Sequence, residues 1–124
     1  MKIGSYKELI VWQKSVELSV RVYILTEQYP KEEIYGLTSQ MRRASVSIAS
    51  NIAEGRCRGT RKDFSQFLRV AFGSGAELET QIEISKRLPK TSAFDYTIID
   101  SLLAEVMRML NSMIGKLQTT PTIS

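Results

Sequence analysis

The chain has 124 residues, of which 43% are hydrophobic and 24% are charged, a composition typical of one soluble globular domain. It contains no histidine, which excludes histidine-based catalytic triads, histidine-ligated zinc and Glu-x-x-His di-iron sites. The single cysteine, Cys57, excludes an internal disulfide and fits a reducing compartment. No signal peptide or membrane-spanning run is evident, so we expect a cytoplasmic protein. The net charge of +4 permits an anionic partner without requiring one.

Apolar residues recur at helical spacing in four segments, which Pro30, Gly55 and Pro89 separate. We predict that the second helix stops at Gly55, that a basic loop spans residues 55–59, and that Thr60 caps the third helix. The predicted core positions of helices two, three and four are, in that order, Leu37, Met41, Ala44, Ile48 and Ile52; Phe64, Leu68, Ala71, Gly75, Leu78 and Ile82; and Ile99, Leu103, Val106, Leu110, Met113 and Leu117.

The segments between these helices are short, and no stretch alternates apolar and polar residues as a strand would. Four helices with short connections pack best as an antiparallel up-down four-helix bundle, so we predict an all-α fold. We assign residues 1–118 to this single domain and expect residues 119–124 to form a disordered tail.

The first helix carries two apolar stripes on opposite sides. We predict that Leu9, Trp12, Val16, Val20 and Tyr23 face the core. The other stripe would lie in water unless a second copy covered it. We therefore predict a homo-oligomer whose interface contains Val11, Leu18, Val22, Leu25 and Tyr29 of the first helix and the small residues Val46, Ala49 and Ala53 of the second. The alternative is an uneven bundle that covers these surfaces itself.

The segment from Gly36 to Lys62 is basic. Its only carboxylate is Glu54, so its net charge is +5. Its cations are Arg42, Arg43, Arg56, Arg58, Arg61 and Lys62. The planar fork of arginine matches phosphate oxygens, which favours a nucleic-acid contact site. The alternative is a solvated basic loop with structural arginines.

No constellation of catalytic residues stands out. Glu77, Glu79 and Glu83 lie close together on the third helix, and Glu54 could approach them, but without histidine we interpret them as solvated carboxylates. We therefore predict that the protein is not an enzyme and binds no cofactor or metal.

Five segments resemble a known bacterial family. They are residues 9–14 (LIVWQK), 35–44 (YGLTSQMRRA), 46–55 (VSIASNIAEG), 67–69 (FLR) and 73–79 (GSGAELE). The sequence is similar to the four-helix bundle proteins encoded in intervening sequences of large-subunit ribosomal RNA genes, and also to the accessory protein of diversity-generating retroelements. The resemblance implies a ring-shaped homopentamer and, by location and charge, a nucleic-acid surface at Arg42, Arg43, Arg56 and Arg58.

Two functions remain open at this stage. The first is a homo-oligomer that binds RNA or DNA, with RNA preferred, through phosphate contacts with little sequence specificity. The second is a scaffold that docks a protein partner such as a reverse transcriptase, with the arginines meeting an acidic surface.

Overall fold

The computed structural model describes residues 4–118. Single turns of 3-10 helix, Tyr6–Glu8 and Lys31–Glu33, precede the first two long helices. The long helices are α1 (Ile10–Thr26), α2 (Leu37–Arg58), α3 (Arg61–Arg87) and α4 (Thr97–Gln118). No strand occurs in residues 4–118, which confirms the all-α prediction. The predicted disordered tail at 119–124 lies outside the described residues.

Cross-helix contacts fix the direction of each helix. Ser19 contacts Ser45, and Thr26 contacts Arg42. Later residues of α1 therefore contact earlier residues of α2, which means that the two helices run antiparallel. The same inverse order holds for the other neighbours. Ser47–Ser74 and Met41–Ser85 join α2 to α3, and Gly75–Met107 and Lys86–Asp100 join α3 to α4. Lys14–Glu105 and Tyr29–Tyr96 join the α1 and α4 segments. Each helix packs against its two neighbours around a square. The bundle is therefore antiparallel and up-down, as predicted.

The predicted core faces of three helices are confirmed. All five predicted core residues of α2 are buried, as are those of α3 apart from Phe64, which is partly buried against the core. On α4, Ile99, Leu103, Val106 and Leu110 are buried, and Met113 and Leu117 pack against them. The prediction was possible because each of these helices has a single apolar stripe, and only one orientation of the helix buries that stripe.

The predicted orientation of α1 is wrong. The five residues assigned to an oligomer interface, Val11, Leu18, Val22, Leu25 and Tyr29, lie in the chain's own core, and none is more than 6% exposed. Val20 and Tyr23, which were expected in the core, are 52% and 43% exposed. Both stripes are apolar, so periodicity could not choose between them. The stripe with two leucines is buried. Of the other stripe, Leu9 and Trp12 are half-buried and pack against the core as predicted, whereas Tyr23, whose polar tip suits a half-exposed position, lies at the surface.

The connection between α2 and α3 also differs from the prediction. α2 continues through Gly55 to Arg58, so Arg56 and Arg58 are helical rather than part of a loop. The helix ends at Gly59, whose φ of 86° lies in the left-handed region that glycine tolerates. Thr60 caps α3 as predicted, because its hydroxyl accepts a hydrogen bond of 3.1 Å from the Asp63 amide.

A buried polar chain holds the α3–α4 connection against α1. The Tyr96 hydroxyl donates to the Thr91 carbonyl at 2.7 Å, so the Tyr29 hydroxyl, 2.9 Å away, is the donor to Tyr96. The Tyr29 ring stacks on Phe94 with centroids 5.6 Å apart. Burial raises the pKa of the Tyr29 phenol above its ordinary value, which keeps the donor protonated.

α2 and α3 pack tightly against each other at Gly55, and we predict that Gly55→Ala destabilises the protein. A Cβ at this position would lie 2.6 Å from the Cβ of Phe67, which is anchored to the backbone and cannot rotate away. We expect the free energy of unfolding to fall by about 1–3 kcal/mol. Urea unfolding followed by circular dichroism measures this change.

Gly73→Ala is the matched control in α3. No atom lies within 4 Å of a Cβ there, so only the gain in helix propensity remains, and we expect the free energy of unfolding to rise by about 0.5–1 kcal/mol. Equal effects at the two glycines would contradict the close packing at Gly55.

Candidate nucleic-acid interface

The structure divides the six predicted cations between two places. Arg42 and Arg43 lie in the half of the bundle where α1 ends. Arg56, Arg58, Arg61 and Lys62 lie at the opposite end, around the α2–α3 turn. Arg43 and Arg56 are about 20 Å apart along α2 at 1.5 Å per residue. The six cations therefore lie in two separate places, because a helix separates residues that are close in sequence.

Arg42 has a structural role. Its Nε donates to Thr26 Oγ1 at 2.9 Å, and a terminal nitrogen donates to the Tyr23 carbonyl at 3.4 Å. The guanidinium also lies 4.5 Å from the centroid of the Tyr23 ring. These contacts place a cation at the C-terminal turn of α1, where the helix dipole favours positive charge. Arg42 therefore joins α2 to α1 through two of its five N–H donors.

The cations around the α2–α3 turn differ in how much they are engaged. Arg56 is half-buried and donates to the Gly4 carbonyl at 3.2 Å, which holds the first described residues against α2. Arg58 pairs with Glu54 at 3.0 Å and lies 4.9 Å from the Phe67 ring centroid. This pair is half exposed, so it contributes little stability and can exchange for a phosphate. Arg61 and Lys62 are exposed in the first turn of α3.

The antiparallel order brings further cations to this end of the bundle. We define the basic end as residues 4–16, 48–73 and 107–118. It contains nine lysines and arginines and three carboxylates, a net charge of +6. One of the nine, Lys14, pairs at 3.3 Å with Glu105, which lies just outside this boundary. The cations that the sequence analysis missed are Lys7, Lys14, Arg69, Arg108 and Lys116. Most come from the first and last helices, so only the folded chain joins them to the α2–α3 turn.

The rest of the described chain has the opposite charge. Residues 17–47 and 74–106, the acidic half, contain seven cations and ten carboxylates, a net charge of −3. Several of these charges pair with each other, as in Lys86–Asp100 at 2.7 Å and Arg87–Glu83 at 3.0 Å. The hydrogen bond to the Asp100 carboxylate raises the pKa of Lys86, which keeps that lysine charged. The chain is therefore polarised along the bundle axis, and anions are attracted to one end only.

An apolar surface remains exposed along the seam between α1 and α2. We define the α1–α2 apolar face as Trp12, Val16, Val20, Tyr23, Val46, Ala49 and Ala53. Val20, Tyr23 and Val46 line one shallow depression, and Val46 is 41% exposed. Ala49 and Ala53 are half-buried, so the three α2 residues predicted for the interface do reach the surface. α1 therefore has a second apolar stripe at the surface, but it contains Val20 and Tyr23 and is not the stripe that was predicted to lie there.

Residues 4–118, the described part of the chain, can also be set against the requirements of a metal site, a carboxylate cluster and a membrane-spanning helix. No group of three or more cysteine, aspartate or glutamate side chains there is arranged to hold a metal ion. Glu77, Glu79 and Glu83 are all exposed on α3. No helix in this part of the chain is both long enough and apolar enough to cross a membrane.

The neighbouring arginines of α2 give a paired test of role. We predict that Arg42→Ala lowers the free energy of unfolding by about 1–2 kcal/mol, because it removes the hydrogen bonds to Thr26 and Tyr23. Arg43→Ala should change it by less than about 0.5 kcal/mol, since Arg43 is exposed. Urea unfolding measures both, and a decrease for Arg43→Ala as large as that for Arg42→Ala would contradict this assignment.

Known proteins resemble this chain in sequence and in fold. The family model described as 23S rRNA-intervening sequence protein matches residues 7–112. The crystal structure of a protein with unknown function from the S23 ribosomal protein family of Bacteroides thetaiotaomicron is similar, with a TM-score of 0.74 and 27% sequence identity. That match covers 85% of this chain and 98% of the other. No curated protein matches. The family match spans most of the chain, and the protein belongs to the 23S rRNA-intervening sequence protein family.

Proposed function

We propose that this protein is a non-enzymatic, self-associating bundle that binds nucleic acid, RNA in particular, through phosphate contacts at its basic end. The observation that carries the proposal is the net charge of +6 gathered there from all four helices. Lysines and arginines that neutralise phosphates release counterions, and this release drives binding of any sequence.

The position of two cations supports a ligand rather than a purely structural role. Arg61 and Lys62 occupy the first turn of α3, where the positive end of the helix dipole disfavours cations by about 0.3–1 kcal/mol each. Helix stability alone therefore selects against them. The same dipole favours a bound anion, so a phosphate near this turn would be stabilised by both cations and by the positive end of the helix.

Self-association would strengthen such binding. In a cyclic ring all subunits point the same way along the axis, so their basic ends would form one rim. Weak phosphate contacts on neighbouring subunits then act together on one polymer. We propose the α1–α2 apolar face as part of the subunit interface and, from the family resemblance, a pentamer. The exposed Cys57 suits a reducing compartment, and we propose the cytoplasm.

We predict that removing three exposed cations from the basic end weakens RNA binding at least about tenfold at low salt. The variant is Lys62→Ala, Arg69→Ala and Arg108→Ala, chosen because these side chains are exposed. The slope of log affinity against log salt should also become shallower by about 0.7–0.9 for each phosphate that is no longer neutralised. Fluorescence anisotropy with a labelled structured RNA, repeated across salt concentrations, measures both quantities.

The matched control removes three cations from the acidic half, with Arg21→Ala, Lys31→Ala and Arg87→Ala. Its net charge changes by the same amount, but screening limits its influence on the distant end, so we expect affinity within about twofold of the unmodified protein. Equal weakening in the two triple variants would mean that net charge, and not the basic end, attracts RNA. No salt-dependent binding by the unmodified protein would reject the proposal.

A second prediction concerns self-association. We expect Val20→Glu and Val46→Glu each to lower the mass of the protein in solution, because a carboxylate in the centre of an apolar interface cannot be desolvated without large cost. Ile98→Glu, at a residue of α4 exposed to a similar degree, is the control and should leave the mass unchanged. Light scattering measures the mass, and an unmodified protein that is monomeric at all concentrations would refute the proposal.

One observation favours a scaffold function as well. Tyr35 is 94% exposed and Ile34 is 53% exposed, side by side before α2 in the acidic half. Exposed aromatic residues of this kind are common at the centre of protein interfaces. A protein partner that is retained after nuclease treatment, and that Tyr35→Ala no longer binds, would support docking at this position in place of RNA binding.

A further inference from the structure

A groove between the start of α1 and the end of α4 opens at the basic end. Its apolar lining includes Leu9, Met109 and Met113, with Ile10, 54% exposed, at one edge. The cations Arg108 and Lys116 line the same groove. An apolar surface flanked by cations is complementary to a ligand that is flat, poorly hydrated and attached to negative charge.

We propose that this groove binds an unpaired base of single-stranded nucleic acid, which makes the proposed function specific for single strands; the inference rests on that function. The two methionines are unbranched and adaptable, so they can contact the face of any base. Proteins that bind single strands without reading their sequence usually stack the bases on aromatic side chains beside a basic track. In this groove the contact surface is aliphatic and comes from Ile10 and the two methionines.

The cations along the groove follow the direction of α4. Arg108, Ser112 and Lys116 recur at every fourth residue, so they form a row along one side of the helix. The ends of this row are about 12 Å apart at 1.5 Å per residue. A short stretch of extended sugar–phosphate backbone can contact both ends while a base between them turns into the groove.

Two other occupants fit the groove less well. A base-paired duplex keeps the faces of its bases stacked on each other, so it could contact the cations but would leave the apolar lining empty. A second copy of the chain is expected on the α1–α2 apolar face, which lies on the other side of α1 from α4. Charge complementarity therefore assigns the groove to nucleic acid and leaves the seam between α1 and α2 for another subunit.

The test compares a short oligouridine strand with the duplex that it forms with oligoadenosine, by fluorescence anisotropy at one salt concentration. We expect the unmodified protein to bind the single strand at least about tenfold more tightly than the duplex. Ile10→Ala combined with Met113→Ala should remove most of this preference and leave duplex binding unchanged. Arg108→Ala should weaken binding of both, because it removes a cation that pairs with phosphate.

Ile84→Ala combined with Ile98→Ala is the matched control, since both residues are exposed and lie in the acidic half. It should retain the preference for the single strand. The inference is overturned if the unmodified protein binds strand and duplex equally. It is also overturned if the groove variant, Ile10→Ala with Met113→Ala, keeps the preference. Either outcome leaves the proposed function standing. Failure to bind either probe overturns both. A change in mass of the groove variant by light scattering would assign the groove to a subunit interface instead, which also overturns the inference.

Discussion

The two residues between α2 and α3 impose the constraint on which the rest of the arrangement depends. The connection consists only of Gly59, with its φ of 86°, and Thr60, which caps α3, so the chain must reverse its direction at once. α2 and α3 must therefore run antiparallel and in contact, and Gly55 allows Phe67 to approach the backbone of α2. α1 and α4 complete the square, and contacts such as Ser19–Ser45 and Lys86–Asp100 show that each also runs antiparallel to its neighbour in the hairpin.

Much of the fold could be predicted from the sequence because three helices have only one apolar stripe. For α2, α3 and α4, burying that stripe leaves a single orientation, and the predicted core residues are the buried ones. α1 was different because it is apolar on two sides. Which side turned inward depended on partners that sequence does not reveal, such as Tyr96, which accepts the hydrogen bond from buried Tyr29. The existence of a second apolar stripe was predictable, whereas its location was not.

The candidate site was predictable to a smaller degree. A run of basic residues along the sequence pointed to the α2–α3 turn, and four of its six members lie there. Arg42 could not be distinguished from them, since its role depends on Thr26 and Tyr23 of another helix. Arg69 and Arg108 could not be added to the site either, because they reach the same end only after the chain has folded. Proximity in sequence is a poor measure of proximity on a helix, where 13 residues extend about 20 Å.

An even number of antiparallel helices also returns the chain to the end of the bundle at which it began. Gly4, whose carbonyl contacts Arg56, and Gln118, at the close of α4, both belong to the basic end. A fluorescent label attached at Gly4 or Gln118 would therefore project beside the surface that carries most of the positive charge. Joining Gln118 to Gly4 through a flexible linker and reopening the chain near Tyr35, in an exposed turn, would transfer both attachment points to the opposite end of the bundle. Such a circular permutant would leave the cationic surface uncovered for immobilisation or imaging.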